Sequence, residues 1–172
     1  MGKSGVFTVT LVLVLALVAV GQAFVFTDPT SLYSTLIWDH WVYQAHQSTP
    51  LITVFYGQGD YDLLYFEQLG QVQDASVETM ADRSLALYAG PGGLRQFQLE
   101  RCLQEINVAG QNGLVCGYSY EDEHGQNLWE YRIFVLLPGE EGFSMALSSD
   151  GPWVFEDSPM LEDILSRWRW LF

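Results

Sequence analysis

LRQFQLERCLQEI, residues 94–106, alternates along its length. Phe97, Leu99, Arg101 and Leu103 take one side, and Gln98, Glu100, Cys102 and Gln104 take the other. That period of two is the one a strand imposes on its side chains. GLVCGYSYE (113–121), LWEYRIFVLL (128–137) and FSMALSS (143–149) follow, separated by DEHGQN and PGEEG. Short strands joined by Gly-rich turns at close intervals predict an antiparallel meander. Residues 133–137 are all apolar, which suits the sheet's centre.

Upstream, LITVFYGQGDYDLLYFEQL (51–69) holds two runs rich in β-branched and aromatic residues around Gly57-Gln58-Gly59-Asp60, a hairpin signal. Residues 70–82 are polar, with a short helix expected over 77–83. SLALYA (84–89) reads as a strand and GPGG (90–93) as a loop. TSLYSTLIWDHWVYQAHQ (30–47) lacks Gly and Pro. Thr30 or Ser31 can cap a helix. Leu32, Leu36 and Tyr43, with Tyr33, Ile37 and Trp41, fall at helical spacings. The spacing predicts an amphipathic helix within 30–49, lying on a membrane surface or packed on the domain. At the other end, Ser158 (cap), Pro159, Glu162 and Asp163 open a predicted helix over 158–172. Met160, Leu161, Ile164, Leu165, Trp168 and Leu171 form its apolar stripe, and Arg167 and Arg169 suit its negative end. Trp168, Trp170 and Phe172 either pack in the core or contact a partner subunit.

Residues 6–26 carry no charge. As a helix they extend roughly 30 Å, the hydrocarbon thickness of a bilayer. Lys3 precedes the run and no Lys or Arg follows until Arg83. The positive-inside rule then puts the N-terminus in the cytoplasm and the rest in the periplasm, a lumen or the cell exterior, the chain sitting in the cell membrane as a single-pass protein. Trp38 and Trp41 suit the membrane interface. Gly21-Gln22-Ala23 also fits a signal-peptide cleavage site ahead of Phe24. The fold class so read is α+β: residues 1–29 a cytoplasmic N-terminus and transmembrane helix, 30–49 an interfacial helix, 50–172 an antiparallel sheet domain with a C-terminal helix.

KSGVFTVTLVLVLALVAVG (3–21), LALYAGPGGLRQFQLERCL (85–103) and NGLVCGYSYEDEHG (112–125) together resemble a minor type IV pilin or pseudopilin. The resemblance implies a leader junction at Gly5-Val6, an apolar assembly helix and a β-rich C-terminal region. Where that family carries a Glu in the mature helix, this chain has Thr10.

The net charge is −14, from 21 acidic and 7 basic residues. It excludes nucleic acid, which is bound through Lys and Arg on phosphates, and adsorption to anionic lipid. A basic soluble protein remains a partner that such a surface suits. If the 102–116 hairpin is centred on Ala109, Cys102 faces Cys116 and a disulfide is expected, worth roughly 3 kcal/mol through loop closure. A tight turn at Asn112-Gly113 would instead put Cys102 opposite Glu123. His40 and His46 diverge on a helix, Glu121-Asp122-Glu123-His124 reads as a solvated turn, and Asp39-His40 lacks a nucleophile elbow. GPGG and GQGD lack the Lys-Ser/Thr of a phosphate loop. The pattern points to no metal, cofactor or catalytic residue. The expected function is a non-catalytic, membrane-anchored accessory subunit of a larger membrane protein complex, held in the lipid bilayer through residues 6–26. The alternatives are a minor pilin-like assembly protein and a secreted binding protein or hydrolase.

Overall fold

In the computed structural model, residues 22–72, 76–151 and 159–172 are described. Five strands come first: β1 (Ala23–Thr27), β2 (Tyr33–Trp38), β3 (Val42–Tyr43), β4 (Ile52–Tyr56) and β5 (Leu63–Gln71). Helix α1 (Val77–Ala89) follows, then the four strands of the meander, β6 (Arg95–Val108), β7 (Gln111–Glu121), β8 (Asn127–Leu137) and β9 (Glu141–Ser149). Helix α2 (Pro159–Ser166) and β10 (Arg169–Trp170) close the chain.

The meander strands pair in sequence, and β5, β4 and β3 extend the sheet from β9, giving the order β3-β4-β5-β9-β8-β7-β6, all antiparallel. β9 is therefore central, and residues 142–149 are buried on both faces. β8 lies beside it, flanked by β7 and β9. The expected hairpin around Gly57–Asp60 is β4–β5. The β6–β7 turn is Ala109-Gly110, with φ of 50° and 92°. Two consecutive left-handed residues mark the tight hairpin turn whose twist matches its strands.

Each sheet face carries its own core. On one face, Val77, Met80, Ala81 and Leu85 of α1 pack on Leu114, Cys116, Tyr118 and Phe134. On the other, α2 and a small sheet ordered β1-β2-β10 cover Phe55, Phe66, Ile133, Phe143 and Met145. Trp168 stacks on Tyr33 at 4.5 Å between ring centroids and anchors this second layer.

Several expectations are corrected. The helix within 30–49 is instead β2, a bend and β3. In β2, Tyr33, Thr35 and Ile37 are buried while Ser34, Leu36 and Trp38 are half-buried, so the two-residue period governs. β-branched and aromatic residues lose side-chain freedom in a helix and pack well on a pleated surface. SLALYA is the second half of α1: Leu85 is buried but Leu87 is 74 % exposed, which one face of a strand would not give. The helix begins where expected, with Ser76 Oγ accepting the Thr79 amide at 3.2 Å. The C-terminal helix stops at Ser166 instead of reaching 172, because Trp168 turns into the core and residues 169–170 pair with β2. The expected Ser158 cap lies outside the described residues.

The expected transmembrane helix is corrected as well. Ala23–Phe26, its last four residues, belong to β1, paired with β2 in the register Ala23↔Trp38 to Thr27↔Ser34. Among the described residues no helix is long and apolar enough to cross a membrane. Residues 1–21 lie outside them, and with them Gly5 and Thr10. The α+β reading with a single-pass anchor, and the cell-membrane placement built on it, give way to a mostly β fold with two short helices among the described residues.

Candidate functional site

The side chains of β5, β7, β8 and β9 that face α1 include an unusual polar set. Tyr65, Glu67, Tyr118, Glu130, Arg132 and Ser144 share that face because each strand places alternate residues on it. Arg132 lies at its centre with 3 % exposure, and Glu130 also has 3 %. Arg132 Nε donates to Glu130 Oε1 at 2.9 Å and to the Tyr118 hydroxyl at 3.1 Å. Its Nη1 donates to Glu67 Oε2 at 3.1 Å and to Ser144 Oγ at 2.9 Å, and its Nη2 to the Tyr65 hydroxyl. Tyr65 donates to both Glu130 carboxylate oxygens at 3.1 Å, and Tyr118 also donates to Oε1. The guanidinium lies 4.9 Å from the Tyr65 ring centroid and 5.1 Å from that of Tyr88 on α1.

Burial pushes the Glu130 carboxyl up to about 8, with the Tyr118 bond opposing and Glu67 adding to the rise. It raises Glu67 in the same sense and pulls the Arg132 guanidinium down. The geometry explains the direction. Two carboxyls share one guanidinium, so a buried cluster with both ionised would carry a net negative charge, and one proton is held above the ordinary carboxylate range. The bonds within the set join side chains from four strands, β5, β7, β8 and β9.

The same face opens beyond this cluster into a cleft of about 490 Å³ at the β4–β5 loop. Tyr56, Asp60, Tyr61, Asp62, Tyr120 and Ser148 are among its walls. Burial pushes the Tyr120 hydroxyl up to about 12, and the charge of Glu130 adds to the rise. The loop is tightly folded: Gly57 N donates to Asp62 O at 2.9 Å and Gly59 N to Asp62 Oδ2 at 2.9 Å. A Cβ on Gly57 would fall 2.6 Å from that of Asp62, so only glycine allows this approach. A second cavity of about 620 Å³ lies between the start of α1 and the β6–β7 turn, with Glu78, Glu105 and Asn107 on its walls.

The residues singled out from sequence are dispersed. Trp38 is half-buried, its Nε1 donating to Asp163 Oδ2 of α2 at 2.9 Å, and Trp41 is 3 % exposed in the core. Trp168 is fully buried, Trp170 donates Nε1 to Val108 O at 2.9 Å, and Phe172 is 64 % exposed and stacked on Trp170. The expected Cys102–Cys116 disulfide is corrected: none is found among the described residues. The Ala109-Gly110 turn pairs Gln104 with Val115, and pairing resumes at Arg101↔Gly117 after an irregularity. Residues 102 and 103 thus share one opposing residue, Cys116, which is buried in the α1-side core. The Cys102 side chain lies outside the described residues. Asp122 Oδ1 accepts the His124 and Gln126 amides at 2.8 Å, an Asx turn inside Glu121–His124. Among the described residues no group of three or more His, Cys, Asp or Glu is placed to hold a metal ion. The charge cluster was missed, although Glu130 and Arg132 stand two apart in a strand otherwise read as interior, which already implies a shared buried face.

The architecture defines the class: a seven-stranded antiparallel sheet with a helix on one face and a small sheet plus a helix on the other. Within it, the chain shares its fold with cyanobacterial PsbP. The solution structure of that protein (CyanoP) from Synechocystis sp. PCC 6803 matches with a TM-score of 0.60 and 13 % identity, over 89 % of this chain and 95 % of that one. A crystal structure from Bacteroides thetaiotaomicron VPI-5482 matches with a TM-score of 0.55 and 8 % identity, over 87 % of this chain and 48 % of that one. The chain thus spans about half the length of the Bacteroides protein. No family model and no curated protein matches it. These likenesses overturn the resemblance to minor pilins, one of whose quoted segments, 85–103, begins in α1.

Proposed function

We propose that the chain is a non-catalytic accessory subunit that docks on a larger membrane protein complex through its folded surface. The carrying observation is the use of its most perturbed charged groups. Glu130, Arg132 and Glu67 are bonded to one another and to Tyr65, Tyr118 and Ser144, so they brace the sheet from within. The fold shared with cyanobacterial PsbP along nearly the whole of both chains supports a self-contained domain of this kind. The acidic surface, with a net charge of −14, suits a basic docking partner. Purification of the tagged chain from its native membranes in mild detergent, followed by native electrophoresis and mass spectrometry, tests the reading. Co-migration with a large complex at fixed stoichiometry is expected. Migration as a lone small protein overturns it.

A further inference from the structure

The cleft at the β4–β5 loop is unused by the charge cluster behind it. Three tyrosines reach it from separate places: Tyr56 at the end of β4, Tyr61 in the loop and Tyr120 on β7. Two carboxylates, Asp60 and Asp62, belong to the same wall, and among the described residues that line it there is no Lys, Arg or His. Asp60 and Tyr56 are exposed, and Tyr61 is half-buried. The loop is already folded by its three backbone and side-chain bonds to Asp62, so a ligand would order little on entering.

We propose that this cleft receives an arginine side chain of a basic protein partner. Aromatic faces attract a guanidinium through the ring quadrupole. A planar guanidinium can stack on a ring while its N–H groups fork onto a carboxylate, which a compact ammonium does less well. A chain with 21 acidic and 7 basic residues also concentrates basic proteins near such a cleft. The inference rests on the accessory-subunit reading for its partner being a protein, but the chemistry of the cleft can be read separately.

The full chain is titrated at low ionic strength with acetyl-Gly-Arg-Gly-amide, and with the same peptide carrying citrulline, a neutral isostere. Amide resonances of residues 57–62 are followed by NMR. The arginine peptide is expected to give saturable shifts there that weaken as salt is added, and the citrulline peptide none. Tyr61→Leu and Asp60→Asn should each weaken binding roughly threefold or more, with circular dichroism confirming that both variants fold. An equal response to citrulline, or unchanged binding by both folded variants, overturns the inference. In the native-membrane experiment, variants that co-migrate with the complex as well as the wild type would also overturn it and leave the accessory reading intact. A wild-type chain that binds the arginine peptide yet migrates alone would overturn that reading and leave guanidinium recognition standing.

Discussion

Arg132 is the residue on which the α1-facing side of the sheet turns. Its guanidinium joins β8 to β5 through Glu67 and Tyr65, to β7 through Tyr118 and to β9 through Ser144. Arg132→Met would strip Glu67, Glu130 and Ser144 of their shared buried donor, a loss of about 3–5 kcal/mol by urea denaturation. Replacing both, as Glu130→Leu with Arg132→Met, should recover much of that loss, because the desolvation cost of the pair disappears with its attraction. The pair also sets a pH dependence. The folded chain holds a proton on Glu130 that the unfolded chain releases, so its contribution is full below about 4.5 and is lost as the pH rises through about 8. Glu67, raised by burial, acts in the same sense. Stability of the wild type should therefore fall across that window, and Glu130→Gln should flatten the slope. Asp122, held down by its bond to the Gln126 amide, titrates below the ordinary carboxylate range and leaves this window unaffected.

At the scale of single elements, the β6–β7 turn offers a gain. Ala109 holds a φ of 50°, a conformation that costs an L-residue with a Cβ. Asn107 Oδ1 pins the turn by accepting the Gly110 amide at 2.9 Å. Ala109→Asn should create the Asn-Gly pair this turn favours and stabilise by about 0.5–1 kcal/mol, seen as a higher melting temperature. At the start of α1, Ser76→Ala should cost about 1 kcal/mol by removing the bond to the Thr79 amide. These elements also show what was readable in the chain. The meander was legible because alternation over residues 94–149 repeats in four strands, each bounded by turn residues. β2 was not, because Tyr33, Ile37 and Trp41 satisfy a four-residue spacing while Tyr33, Thr35 and Ile37 satisfy a two-residue one, and only the core chooses between them. The second half of α1 resembles a strand in sequence because Leu85, Leu87 and Ala89 alternate with other residues. The Cys102–Cys116 geometry depended on an irregularity in β6 that no residue pattern announces. The charge cluster was half legible: Glu130 and Arg132 are adjacent on one face, but Glu67, Tyr118 and Ser144 come from strands whose order only the fold supplies.

For the whole molecule, the outer layer hangs on one side chain. The small sheet and α2 lie over β5, β9 and β8, and Trp168 joins them, stacked on Tyr33 at 4.5 Å and edge-on to Phe66 at 5.3 Å and Phe143 at 5.6 Å. β10 adds two paired residues to β2 immediately after it. Trp168→Ala should remove these contacts and leave a void, costing about 3–5 kcal/mol, a large share of the about 5–15 kcal/mol by which domains are held folded. The loss should not fall evenly. α1 and its core lie on the opposite face of the sheet and share no contact with the void. Hydrogen exchange should therefore quicken first in β1, β2 and α2, while amides of β7, β8 and β9 keep most of their protection. Near-UV dichroism, dominated by the aromatic cluster around Trp168, should be lost at lower urea than the far-UV signal of the large sheet. Coincident loss of both signals in the variant would mean that the two cores unfold as one unit despite the sheet between them.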